Sequence, residues 1–291
     1  MIEIDGRPYR VIDSHVHIFP DEIVRGRSAW IERDRWFADL YAPVRAKLAT
    51  AEDLTASMDI AGIDISVVCG FPWAHNDHCR EHNAYMADAC ARFPGRLRWI
   101  GICAPGEGAS AIVEECLGLG AVGMGEFNAD AQGFDPTNCA EMAPIAEALI
   151  SAKRPLLIHC SEPLGHAYPG KGTATPDRIM ALVAAFPELT FVGAHWGGGI
   201  PFFELMPEAR LALSNMVYDS AATTYLYDHR IFAEVSRIAG RGKVLFASDF
   251  PVLGQQGLIA RMIAMEWPDR DDIAPVMAGN AARVFGIEEP S

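Results

Sequence analysis

Six ionisable side chains each close a short apolar run in this sequence. "RVIDSHVHIFP" (10–20) carries His15 and His17, "GMGEF" ends around Glu126, "LLIHC" holds His159, "VGAHW" holds His195 and "FASDF" holds Asp249. Side chains alternate along a strand, so His15 and His17 share a face, and strict alternation adds Val11 and Asp13 to it. A buried imidazole needs a hydrogen-bond partner or a metal ion. Taken singly, each of these groups is explained by a carbonyl or a neighbouring loop. Taken together, four imidazoles and two carboxylates at strand ends are costly to bury unless a cation organises them. Neutral imidazole and carboxylate are donors suited to Zn²⁺ and neighbouring transition metals, and one or two ions are expected. The chain has no CxxC pair, which argues against a closed thiolate site.

The elements that must position these groups follow from the patterning. β-rich runs at 9–18, 64–71, 97–105, 121–128, 155–162, 189–196, 216–222 and 243–251 alternate with helical patterns at 52–61, 77–93, 109–118, 138–152, 176–186, 202–213, 229–239 and 257–266. Helix-start signals include Thr50 before Asp53, Asn138 before Glu141, and Pro176 at a first turn. Alternation of this kind implies parallel βαβ units, and eight of them predict a closed (β/α)₈ TIM barrel, one domain over 1–291. Strand ends then converge on one rim. Two long loops rise from the same face. Residues 19–50 contain Trp30, Trp36, Phe37 and Tyr41, and residues 163–175 read "PLGHAYPGKGTAT". Trp36, Glu162, His166 and Lys171 are therefore candidates for substrate contact. "GHAYPGKG" is not a phosphate loop, because Gly172 stands where Ser or Thr is required. Asp13 is expected to support packing or a ligand, and Asp219 is open between a structural and a functional role.

Composition narrows the partners. The 291 residues carry a net charge of −14, which disfavours nucleic acid and anionic membrane surfaces. Seven cysteines without framework spacing suit reduced thiols. No stretch is long and apolar enough for a membrane span, and no signal-like apolar core opens the chain, so a cytoplasmic protein is expected. A homodimer is the ordinary prior for such an enzyme.

The motifs "DSHVHIF", "LLIHCSEP", "GAHWGGG", "FASDFP" and "GNAARVF" resemble the amidohydrolase superfamily, in particular its branch of small metal-dependent hydrolases and non-oxidative decarboxylases. The resemblance implies that His15, His17, His159 and Asp249 are metal ligands, and that His195 holds a second ion or activates substrate or water. In two-metal members a carbamylated lysine or a glutamate bridges the ions, and Glu126 fits that place. Well-known decarboxylases of the branch lack it, so Glu126 favours hydrolysis. The main expectation is thus a hydrolase of a small molecule's amide, lactone or ester bond, with metal-bound hydroxide as reagent, Asp249 as base and His195 or the metal polarising the carbonyl. The alternatives are a lyase removing CO₂ from a carboxylated aromatic or enoic acid, and a metal-binding scaffold without activity.

Overall fold

The computed structural model describes residues 1–288. A short antiparallel hairpin, β1 (Ile2–Ile4) and β2 (Arg7–Tyr9), precedes the barrel. The staves are β3 (Ile12–Val16), β4 (Ile65–Val68), β5 (Leu97–Trp99), β6 (Met124–Phe127), β7 (Leu156–Ile158), β8 (Phe191–Gly193), β9 (Met216–Asp219) and β10 (Val244–Leu245). They form parallel sheets of three (β3–β5) and five (β6–β10) strands. Parallel bridges between Val16 and Phe250 and between Gly101 and Met124 join the sheets at both seams. The cylinder is therefore closed, as the alternating pattern predicts.

Apolar residues of the staves or directly beside them fill the interior, including Ile12, Val67, Ile100, Val122, Leu157, Val192, Val217 and Leu245. Ala281, Ala282 and Phe285 of the last helix, Asn280–Phe285, belong to the same cluster and plug the end opposite the rim. The helices expected from patterning form, with one change. The 202–213 pattern splits into a 3₁₀ segment, Ile200–Leu205, and a helix, Pro207–Ala212, because Met206 is extended and Pro207 has no N–H to continue the first. Thr50 and Asp53 build a full capping box. Asn138 instead bonds the Glu141 side chain and caps no backbone group.

Two register shifts aim the chemistry. Asp13 pairs with Ser66 and Val16 with Val68, so three steps on β3 match two on β4. The extra residue switches the phase of the strand. Ile12 faces the interior, Asp13 faces outward to Gln255, and His15 returns to the interior. This corrects the expectation that Asp13 shares a face with the histidines. On β6 the same device recurs, with Met124 paired to Leu156 and Phe127 to Ile158. Met124 and Phe127 pack under the outer helices while Glu126 points into the barrel. Gly125 makes that bulge possible. Its φ is +136°, and a Cβ there would run into the Leu157 carbonyl.

The 19–50 segment is ordered by its aromatics. It folds into Asp21–Arg25, Arg27–Ile31 and Arg35–Tyr41. Phe37 stacks on Trp73 at 5.5 Å, Trp30 lies 5.1 Å from Trp73, and Phe19 stacks on His82 at 5.4 Å, which fixes the segment over the rim.

Replacing Gly125 by Ala should destabilise the protein by at least about 2 kcal/mol in denaturant unfolding, because both backbone conformation and space forbid the methyl group. A change within about 0.5 kcal/mol would contradict the role given to the bulge.

Candidate metal centre

The rim brings the six sequence-predicted groups into one buried cluster. Glu126 sits at its middle. Its Oε1 lies 2.9 Å from His159 Nδ1 and 3.3 Å from His195 Nε2, and its Oε2 lies 3.4 Å from His15 Nε2 and 3.5 Å from His17 Nε2. Asp249 Oδ1 is 3.8 Å from His17 Nε2. Two sets of three donors, His15–His17–Glu126 and Glu126–His159–His195, each fall within 4.8 Å. Asp249 stands beside these sets and outside both.

The chemistry of the donors fits a divalent cation. His15 gives Nδ1–H to Asp219 at 2.8 Å, and His17 gives Nδ1–H to the Cys69 carbonyl at 3.2 Å. Both Nε2 atoms therefore carry lone pairs in the neutral rings, and those atoms lie 3.0 Å apart. His195 gives Nδ1–H to the Ala221 carbonyl at 3.3 Å and turns its Nε2 to a carboxylate oxygen. Acceptor facing acceptor is stable only with a positive charge between them, supplied by a proton or a metal ion. The electrostatics say the same. Burial alone would lower His15, but the neighbouring Cys69, Asp219 and Glu126 raise it well above its ordinary value. Burial also opposes the charged form of His195, yet the hydrogen bond and charge of Glu126, with Asp249, lift it to about 9. Burial would raise Glu126, and the charge of His15 with hydrogen bonds from His15, His159 and His17 holds it well below the carboxylate range.

Positioning groups surround the rim. Fully buried Asp219, at the end of β9, takes His15 Nδ1–H on one oxygen and the backbone N–H groups of His195 and Ala221 on the other, both at 3.0 Å. A strand-end carboxylate in "VYDSAA" was the signal for it. Asp13 accepts from Ser248 Oγ at 2.6 Å, Ser248 N at 2.9 Å and Gln255 Nε2 at 2.8 Å, tying β3 to the residue before Asp249. Burial pushes its carboxyl up to about 6 despite those bonds. His195 and Asp249 both take left-handed backbone, φ +56° and +65°. Gly198 follows His195 so closely packed that a Cβ would lie 2.6 Å from the Ser161 carbonyl oxygen.

Above the metal centre opens a cleft of about 700 Å³, counting its mouth. Its floor is His17, Glu126, His159, His195 and Asp249, and its walls include Trp36, Tyr41, Phe71, Tyr168 and Tyr225. Of the four substrate-contact candidates, Trp36 lines this cleft. Glu162 accepts from Tyr168 Oη at 2.9 Å, His166 meets Tyr225 Oη at 3.3 Å, and Lys171 bonds the Leu164 and His166 carbonyls at 2.6 and 3.3 Å. Those three brace the 163–175 loop and are not among the lining residues. Asn128, also in the wall, went unnoticed in the sequence because a lone Asn after a strand carries no spacing signal.

A family model described as amidohydrolase matches residues 12–287. Curated proteins give no sequence match. Among solved structures, 5-carboxyvanillate decarboxylase from Sphingomonas paucimobilis is similar with TM-score 0.79 and 21% identity, covering 97% of this chain and 100% of that one. The Novosphingobium aromaticivorans 5-carboxyvanillate decarboxylase, complexed with manganese and 4-hydroxy-3-methoxy-5-nitrobenzoic acid, has TM-score 0.80 and 20% identity over 96% of each chain. A dihydroxybenzoic acid decarboxylase from Polaromonas with manganese and 2-nitroresorcinol has TM-score 0.74 and 16% identity, covering 97% and 98%. These likenesses establish the barrel. They also correct the expectation of hydrolysis, since all three are decarboxylases. Glu126 misled because its oxygens engage imidazoles in a way either chemistry accommodates. Nor do they single out zinc, two of them holding manganese. Among the described residues no helix is long and apolar enough to cross a membrane.

Two outcomes follow from this geometry. The carboxylates around His15 and His195 favour their protonated forms when no ion is bound, whereas a bound ion needs their lone pairs. Binding Mn²⁺ or Zn²⁺ at pH 7 should release roughly one proton or more, fading as pH rises past about 9, measured by titration calorimetry in buffers of different ionisation enthalpy. No release would contradict this charge assignment. Asp219→Asn leaves a side chain of the same shape that no longer fixes the His15 tautomer. Metal affinity should fall about 10–100-fold by chelator competition, and unchanged affinity would remove Asp219 from its positioning role.

Proposed function

The chain belongs to the amidohydrolase family, and from that premise we propose that it is a metal-dependent non-oxidative decarboxylase of a small carboxylated aromatic or enoic acid. The observation that carries this reading is the cleft. Aromatic and apolar walls from Trp36, Leu40, Phe71 and Tyr225 stand over a floor of imidazoles and carboxylates. A flat unsaturated body suits the walls and a carboxylate suits a cation-organised floor. The substrates named for the similar decarboxylases, 5-carboxyvanillate and dihydroxybenzoate, have this form.

His15, His17, Glu126, His159, His195 and Asp249 would hold the ion or ions. Their nitrogen and oxygen donors suit both Zn²⁺ and Mn²⁺. A bound divalent ion supplies positive charge to anchor the substrate carboxylate or an adjacent oxygen. The remaining work falls to side chains. Asp249 delivers a proton to the carbon that bears the carboxylate. The carbon–carbon bond then breaks, its electron pair restores the unsaturated system, and CO₂ departs. Asp249 recovers a proton from water, so the balance is one proton consumed and one CO₂ released. His195, braced by the Ala221 carbonyl and by Asp219 at its backbone, has only Nε2 left to offer, and there it would help hold the positive charge that stabilises a substrate oxygen. Walls of this kind exclude water from the carbon being protonated.

The test is product analysis with manganese-loaded protein in D₂O, using 2,6-dihydroxybenzoate and related monocarboxylic acids. CO₂ should appear together with one deuterium at the vacated carbon. Asp249→Asn should slow turnover by roughly 10²-fold or more, with metal content measured alongside to separate proton delivery from metal loss. A hydrolysed fragment without CO₂ would overturn the proposal.

A further inference from the structure

The cleft wall contains a polar group that the reaction above does not use. Asn128 is almost fully buried and lines the cleft two residues beyond Glu126. Its Oδ1 accepts the backbone N–H groups of Asp130 and Ala131, each at 3.0 Å, which fixes which end of the amide is oxygen. Its own backbone N–H is held by Gln132 Oε1 at 3.1 Å, and Gln132 Nε2 is anchored to the Cys103 carbonyl at 2.9 Å. Every group on Asn128 that faces the protein is thus committed. Among the described residues, Nδ2 donates to no protein acceptor.

A second observation concerns charge. Among the described residues that line the cleft there is no Lys or Arg, while Glu126 and Asp249 both present carboxylates there. Lys171, the nearest cation in the roof loop by sequence, is turned onto the Leu164 and His166 carbonyls. A substrate's first carboxylate has the metal centre to meet. A second would lie against apolar and aromatic walls with no cation, or close to Glu126 and Asp249, and either placement is unfavourable.

We propose that Asn128 is a specificity-determining residue that donates Nδ2–H to an uncharged oxygen on the substrate, in a cleft that takes acids with a single carboxylate. The inference rests on the decarboxylase reading and deepens it. The substrate class becomes a monocarboxylate whose unsaturated body carries a hydroxyl or ether oxygen. A site built to hydrogen-bond an oxygen rejects analogues that lack it, because its donor is then left unpaired.

The experiment measures binding and turnover separately. Manganese-loaded full-length protein is titrated with the three monohydroxybenzoates, benzoate and benzene-1,3-dicarboxylate, and CO₂ release is recorded in the same samples. Asn128→Asp is the informative variant. One carboxylate oxygen keeps both capping bonds while the other replaces the donor by an acceptor, and Asn128→Ser retains a cap but falls short of the cleft. Thermal melting reports whether either variant has lost its fold. Wild type should bind the best monohydroxybenzoate about 10-fold more tightly than benzoate, the size of one buried neutral hydrogen bond. It should also bind that acid more tightly than the dicarboxylate. Both variants should erase the preference over benzoate while retaining benzoate affinity for Asn128→Ser. Preference surviving in Asn128→Asp, equal loss for hydroxylated and plain acids, strong dicarboxylate binding, or binding of none of the acids would each overturn the assignment. Preference without CO₂ release supports the recognition and sinks the reaction; CO₂ release without preference does the reverse.

Discussion

A carboxylate enclosed by four imidazoles governs this molecule. Glu126 has both oxygens against ring nitrogens and almost no solvent. Such a group survives burial only if positive charge stays beside it, so the surrounding residues must either hold protons or yield them to a metal ion. Every neighbour is arranged for that exchange. Asp219 fixes the His15 tautomer, the Cys69 carbonyl fixes that of His17, and the Ala221 carbonyl fixes that of His195. In each ring the outer nitrogen is spent on the protein and the inner one is free for the cation.

Aiming six side chains at one point strains the backbone that carries them. Two bulges break strand alternation so that His15 and Glu126 turn inward. His195 and Asp249 occupy left-handed conformations, unfavourable by about 1–2 kcal/mol each for residues with a Cβ. Local hydrogen bonds offset the strain. His195 N–H finds Asp219, and Asp249 N–H finds the His15 carbonyl at 3.0 Å across the barrel seam. Irregularity is concentrated at the rim, while the opposite end is regular and closed by alanines and Phe285 of the last helix. The fold separates the half that must be stable from the half that must be aimed.

The distribution of irregularity explains what the sequence could tell. Stave order and the cluster of groups at the rim were legible, because apolar runs ending in His, Glu or Asp are long-period signals. Asp13 was placed on the wrong face because a bulge changes phase without changing composition. The hairpin at Ile2–Ile4 and Arg7–Tyr9 gave no legible signal, its strands being three residues each and too short for alternation to register. Asp219 was visible as a strand-end carboxylate, but its three hydrogen bonds reach groups on β3 and around β8 and β9 that no local pattern connects. The reaction was the least legible part. Glu126 suggested hydrolysis by residue type alone, whereas the walls that suit an unsaturated acid come from loops scattered between Trp36 and Val252.

Histidine shows most plainly why residue type is a poor guide to role. His82 is as buried as His15 and lies close to the same rim, yet burial drives it down to about 4, with only the Ile18 carbonyl pulling the other way. It stays neutral, gives Nε2–H to Ile18 at 2.8 Å, and accepts the indole N–H of Trp73 on Nδ1 at 3.1 Å. That pair of bonds ties the residue after His17 to the aromatic roof. His15, with Asp219 and Glu126 beside it, is pushed the opposite way. One imidazole therefore ties the aromatic segment to the rim, and the other joins the carboxylate cluster beneath the cleft. The difference lies in whether a carboxylate or a carbonyl stands at the ring's edge, a choice made by strands more than a hundred residues away for His15 and by Ile18, just past β3, for His82. Chemistry at this rim is thus a property of the closed barrel, and the same histidines on an open sheet would have no common cation to share.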